Sequence, residues 1–145
     1  MSDDFLSSLA GEFNLEANNV HLYSPLVLAY IGDAVYEVFV RTLLVSRGSA
    51  PVHKLHKQSI SYVKAKSQAG ILHSLMEGLT QEEQEIVRRG RNAKSGTIPK
   101  NADVTEYKHA TAFEALIGYL YLRKDFNRLM QILKQAVEII KNSGY

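Results

Sequence analysis

The chain has no cysteine, which excludes disulfides, a thiolate metal site and a thiol nucleophile, and fits a reducing compartment. It has only three prolines, Pro25, Pro51 and Pro99, each where a helix can begin or a loop is expected. It lacks an uninterrupted apolar run. The most apolar stretch, Tyr23 to Val45, carries Asp33, Glu37 and Arg41, which argues against a membrane span. The N-terminal segment MSDDFLSSLAGEF lacks the basic start and long apolar centre of a secretion signal, so a cytoplasmic protein is expected. It also lacks a strong charge bias, with 17 basic and 15 acidic residues and a net charge of +2, a balance that alone says little about nucleic acid. Repeats, low-complexity tracts and long linkers are missing too. Residues 1–145 therefore read as one domain, with 1–22 as an N-terminal extension.

What is present is enough for an ordinary core: 145 residues, 46% hydrophobic and 22% charged. Ser24 and Pro25 form an N-cap followed by proline at the first helical position, opening a helix that runs to about Ser46 and stops at Gly48. A short helix follows Pro51. Another starts near Ser59, with Ile60, Val63, Ile71 and Leu75 near helical spacing, and ends at Gly78. Thr80 to Glu83 has the capping-box pattern and predicts a helix to Arg89, ended by Gly90. A basic loop spans residues 91–102. Asp103, with Glu106 three residues on, caps a helix that continues to about Lys124, and the last helix begins near Asp125 with Leu129, Ile132, Leu133, Ala136, Val137 and Ile140 on one face. No segment alternates with period two. The fold class is all-α.

Two helices carry carboxylates where apolar residues are expected. The helix from Ser24 is apolar nearly all round, as in a helix central to its domain, yet Asp33, Glu37 and Arg41 lie four apart on one narrow stripe. Gly32, beside Asp33, costs about 1 kcal/mol against alanine in a helix interior and lets something approach the backbone closely. Glu37 and Arg41 read equally well as an ordinary i,i+4 pair on a solvated edge. In the helix after Asp103, Tyr107, Ala110, Glu114, Ile117 and Tyr121 share one stripe, so Glu114 interrupts an apolar face, with Gly118 one turn later. A buried carboxylate needs a partner or a metal. A Tyr, Lys or Arg partner would satisfy Glu114; a divalent cation shared with Asp33 is the other reading, and oxygen-only ligands suit Mg²⁺.

At these segments the sequence resembles the ribonuclease III family. Tyr30-Ile31-Gly32-Asp33-Ala34-Val35-Tyr36-Glu37 is similar to its signature helix, and Phe113-Glu114-Ala115-Leu116-Ile117-Gly118 to its second catalytic segment. Arg89-Gly90-Arg91-Asn92-Ala93-Lys94-Ser95-Gly96 resembles the glycine-rich loop between them, with order and spacing agreeing from about Ser24 to Leu122. About twenty residues follow Asp125, too few for a double-stranded-RNA-binding domain, so the match is to the stand-alone Mini-ribonuclease III group. That group's long basic loop and the stretch HKQSISYVKAKSQA are also similar.

The resemblance implies a ribonuclease III-type helical endonuclease, homodimeric, using Mg²⁺ to hydrolyse both strands of a stem in precursor 23S ribosomal RNA, with a ribosomal protein as a conceivable helper. Asp33 and Glu114 fall on its metal-linked carboxylates. Other acidic positions of its pattern hold Leu26, Ala29 and Thr111, leaving Glu37 and Thr111 as supporting positions. Five basic residues and no acidic ones lie between Arg88 and Lys100. Arg88, Arg89, Arg91, Asn92, Lys94 and Lys100 are thus the expected RNA-backbone contacts, extended by Lys54, Lys57, Lys64 and Lys66, since double-stranded RNA is read largely through phosphates and 2′-hydroxyls. A solvated charge run is the plainer reading of that loop. His53 and His56 share a helix face but have no adjacent carboxylate and read as surface or packing residues. Two other readings of the whole stay open: a non-catalytic RNA-binding scaffold on the same fold, favoured by the missing carboxylates, and a helical protein-interaction module, opposed by the basic loop.

Overall fold

The computed structural model describes residues 5–94 and 97–143. They form seven α-helices: α1 (Phe5–Glu12), α2 (Pro25–Ser46), α3 (Val52–Val63), α4 (Ala65–Leu75), α5 (Gln81–Asn92), α6 (Val104–Leu122) and α7 (Phe126–Ser143), with 3-10 turns at Ala17–Leu22 and Met76–Gly78. There is no strand among the described residues, and no helix there is long and apolar enough to cross a membrane.

The start and stop signals act as their chemistry requires. The Ser24 hydroxyl accepts the Leu26 amide at 3.2 Å and Pro25 begins α2, while Gly48 ends the segment with a φ of 129°. At α5 both halves of the capping box form: the Glu83 amide donates to Thr80 Oγ1 at 3.1 Å and the Thr80 amide to Glu83 Oε1 at 2.9 Å. Asp103 accepts the Glu106 amide at 2.9 Å at the head of α6. Helix α6 closes on Lys124, whose φ of 64° is left-handed, with Asp125 and Lys124 amides returning to the Leu120 and Tyr121 carbonyls.

Three expectations are corrected. The break after Pro51 falls at Lys64 rather than near Ser59, because Lys64 is extended (ψ 152°) and serves both as the end of α3 and the start of α4. Gly90 does not end α5, which runs to Asn92. It lies inside the helix because a Cβ there would come within 2.8 Å of the Ala112 Cα on α6, so glycine serves close packing. The basic loop accordingly starts at Ala93. Finally, the central helix is α6, not α2. From Ala112 to Leu122 every residue except Glu114 is buried, and α6 packs on α2, α4, α5 and α7. Helix α2 buries one face, through Leu28, Tyr36, Val40 and Leu44, and leaves Val27, Tyr30 and Val38 exposed on the other. Helix α1, whose Leu6 and Leu9 pack on the core, was not foreseen, since the segment has only two turns.

The core centres on Phe113, Leu116, Ile117 and Leu120, each fully buried and each contributing about 1.5–3 kcal/mol. Tyr36 meets Phe113 edge to face at 5.1 Å between centroids. One charged residue is buried with them: Glu83 accepts two bonds at 2.8 Å from Arg128 of α7, whose guanidinium also donates to the Gly78 carbonyl. Burial pushes the Glu83 carboxyl upward, but Arg128 and the Thr80 amide outweigh it and hold it below its usual range.

The crossing of α2 and α6 fixes the frame. A Cβ added at Gly118 would collide with the Leu28 carbonyl, and one at Gly32 with the Glu114 carbonyl, so the helices touch backbone to backbone at two points. Replacing Gly118 with alanine must push the helices apart. A loss of at least about 3 kcal/mol in urea denaturation is expected, at the upper end of overpacking costs; a loss under about 1 kcal/mol would contradict the crossing.

Candidate active site

The same crossing builds the site. Gly32 lies on the Glu114 backbone, so Asp33, the next residue on α2, reaches the Glu114 carboxylate on α6. The two carboxyl groups lie close enough for Asp33 to act directly on Glu114. Asp33 is exposed and Glu114 half-buried, so the pair opens at the surface with one carboxylate rooted in the core. Glu37, one turn along α2, adds its negative field to Glu114 while accepting Arg41 Nε at 3.1 Å. The ordinary i,i+4 pair and the acidic stripe therefore coexist.

The donor facing Glu114 is a neutral amide: Gln68 Nε2 lies 3.4 Å from Glu114 Oε2 and 3.0 Å from the Val63 carbonyl. Burial, then the field and hydrogen bond of Asp33, push the Glu114 carboxyl up to about 8, and the Gln68 bond only partly offsets this. Two carboxylates brought together beside a neutral amide suit a hard divalent cation. No cluster of three or more His, Asp or Glu side chains able to hold a metal occurs among the described residues, so such an ion would rest on two carboxylates and on water, as Mg²⁺ commonly does.

Other expected positions fall into place differently. Thr111 donates its hydroxyl to the Tyr107 carbonyl of its own helix at 3.0 Å and brings no charge. Leu26 is half-buried and Ala29 buried, so both serve packing. Arg88 is exposed and paired with Glu85. Arg91 and Asn92 sit in the last turn of α5, and Lys94 and Lys100 are exposed. Ser95 and Gly96 of the expected loop motif lie outside the described residues. Lys54, Lys57, Lys64 and Lys66 are exposed along α3 and α4, as are His53 and His56. Arg89 departs from expectation: its guanidinium donates inward, to the His21 carbonyl at 2.7 Å and the Tyr23 carbonyl at 3.1 Å, and so braces the chain entering α2. Gln68 was missed. Its signal was available, since it occupies the same stripe as Ile71, Leu72 and Leu75 and is thus a polar residue on an apolar face, as Glu114 is.

The all-helical fold is that expected of a ribonuclease III domain, and the family model for that domain matches residues 26–125. The chain belongs to the ribonuclease III family, and within it to the Mini-ribonuclease 3 group. It is 52% identical to a Mini-ribonuclease 3 of Thermoanaerobacter sp. over 118 residues, covering 81% of this chain and 83% of the relative. It is 47% identical to that of Staphylococcus aureus over 129 residues, covering 88% and 96%. A crystal structure of a Fusobacterium nucleatum protein, 34% identical, superposes with a TM-score of 0.75 over 83% of this chain and 96% of that one. The protein is an endoribonuclease of the ribonuclease III type, a class that acts on double-stranded RNA.

Two outcomes follow from the geometry. With a chelator present, Glu114 keeps its proton in the folded chain at pH values where the unfolded chain, with an ordinary value of 4.5, has lost it. A folded pKa raised in this way stabilises the fold fully below 4.5 and ceases to do so as pH rises through about 8. The metal-free melting temperature should therefore fall across that window, less so in Glu114→Gln, and a divalent cation at pH 8 should restore it. A flat profile identical in both proteins would refute the assignment. For Arg89→Ala, lowered stability is expected with the salt dependence of RNA binding unchanged; a salt slope reduced by about one with the melting temperature preserved would instead make Arg89 a phosphate contact.

Proposed function

We propose that the chain is a Mg²⁺-dependent endoribonuclease that acts in the cytoplasm as a homodimer and cuts a double-stranded stem of precursor 23S ribosomal RNA, with a ribosomal protein as an assisting partner. The observation that carries this reading is the pairing of Asp33 with Glu114 across the α2–α6 crossing. When bound there, Mg²⁺ would lower the pKa of a coordinated water and neutralise charge at the scissile phosphate. The chain's own groups do the holding. Asp33 presents an exposed carboxylate, Glu114 a half-buried one, Gln68 donates to Glu114, and the Glu37 charge deepens the negative potential beside them. Arg88, Arg91, Asn92, Lys94 and Lys100, with the exposed lysines of α3 and α4, supply the phosphate contacts, while Arg89 holds the start of α2.

The homodimer is supported by α2. Tyr30 is 81% and Val38 66% exposed, and beside them lies an apolar groove of ≈ 440 Å³ lined by Phe5, Ile31, Val38, Tyr121, Phe126 and Met130. A two-fold axis through such a face would give two sites for two strands. Helix α6 is buried within the subunit and contributes chiefly Tyr121 there, so the surface belongs to α1, α2 and α7.

A labelled RNA duplex incubated with Mg²⁺ or EDTA, beside Asp33→Asn, tests the reading. Cutting on both strands that needs metal and drops at least about 100-fold in the variant is expected, together with sedimentation as a dimer. Binding without cutting would favour the scaffold, for which Leu26, Ala29 and Thr111 at acidic positions of the family pattern speak. Sedimentation as a monomer at micromolar concentration would overturn the dimer.

A further inference from the structure

Gln68 is 2% exposed, the most deeply buried uncharged side-chain amide of the described residues. It stands on the apolar stripe of α4 with Ile71, Leu72 and Leu75, where leucine would fill space without a desolvation cost. Its amide has one possible orientation. Nε2 faces two oxygens, the Val63 carbonyl at 3.0 Å and Glu114 Oε2 at 3.4 Å, and a flipped amide would set its oxygen against the Val63 carbonyl, which can only accept. That orientation leaves Oε1 buried with no hydrogen-bond partner, so neither packing nor full hydrogen bonding explains the residue.

The bond to Val63 adds a second meaning. Val63 ends α3, and its carbonyl is one of the last-turn acceptors that a helix leaves unpaired. The preceding carbonyl, of Tyr62, accepts the buried hydroxyl of Tyr36 at 2.9 Å, and Tyr36 lies on α2 between Asp33 and Glu37. The end of α3 is thus pinned twice, by Tyr36 of α2 and by Gln68 of α4. Just beyond it come Lys64 and Lys66, both exposed.

We propose that Gln68 is a positioning residue of the metal site: its amide fixes the Glu114 carboxylate from outside α6 and ties it to the α3–α4 corner that carries the lysines. The inference rests on the reading of Asp33 and Glu114 as metal ligands. It makes the orientation of the half-buried ligand a property of α4, whereas Asp33 is set by α2.

The test is the affinity for Mn²⁺ without RNA, followed by the electron paramagnetic resonance of free ion, in the full chain, Gln68→Met and Glu114→Gln. Methionine keeps the volume and removes the donor. About 10-fold weaker Mn²⁺ binding is expected in Gln68→Met, with the KM for RNA at saturating metal unchanged, as for other residues that orient a metal ligand. Wild-type affinity in Gln68→Met alongside loss in Glu114→Gln would overturn the role of Gln68 alone. Wild-type affinity in Glu114→Gln would overturn the metal site itself. Should Gln68→Met not fold, the Gln68 side-chain amide resonances of the unaltered chain decide: they should shift on addition of Mg²⁺, and unmoved resonances overturn the proposal.

Discussion

The structure depends on one close contact. Helices α2 and α6 meet at two glycines, Gly32 on the Glu114 carbonyl and Gly118 on the Leu28 carbonyl, with no room for a methyl group at either. Ordinary helix pairs sit 8–10 Å apart, separated by interlocking side chains. Removing that layer brings main chains together, and with them the first side chains beyond the contact. Asp33 and Glu114 become neighbours for this reason. The glycines cost helix propensity in both helices of the crossing, and the core around Phe113, Ile117 and Tyr36 offsets it.

Two glutamates show how differently the fold treats buried carboxylates. Glu83 is buried against two nitrogens of Arg128 and also completes the cap of α5, so its charge is matched and its carboxyl stays ionised. Burial and the neighbouring Asp33 push the Glu114 carboxyl upward, and the one amide facing it, from Gln68, only partly offsets them. Both are glutamates on helices packed into one core. A cationic partner makes the first a fastener between α5 and α7; the second, facing a neutral amide and another carboxylate, is the one proposed to hold a metal.

The remaining surface divides by chemistry. One face of α2 is apolar and uncovered, continued by Phe5 of α1 and Met130 of α7. Exposed lysines lie on α3 and α4, and further cations lie around the end of α5. Glu37, one turn from Asp33, pairs with Arg41 on the same helix. An endoribonuclease needs both kinds of surface: diffuse positive charge for the phosphate backbone, and concentrated negative charge where a metal is to sit.

Much was legible in the sequence because local chemistry decides it. The caps at Ser24, Thr80 and Asp103 and the stop at Gly48 set helix ends from within a few residues, and helical phase alone marked Asp33 and Glu114 as misplaced among apolar neighbours. Periodicity could not say which apolar helix lies at the centre, since α2 and α6 are both apolar nearly all round; only packing buries α6 and leaves half of α2 bare. Nor could it assign the glycines: Gly48 ends a helix, whereas Gly90 sits inside one to admit Ala112. Arg89 looked like any cation of a basic run until the fold carried the His21 and Tyr23 carbonyls to it. Composition and spacing determined the helices and nominated the two carboxylates. The tertiary structure decided their company, because a side chain's charge partner is set by which helix passes beside it, and that crossing joins residues 46 and 81 positions apart in the chain: Gln68 and Asp33 with Glu114.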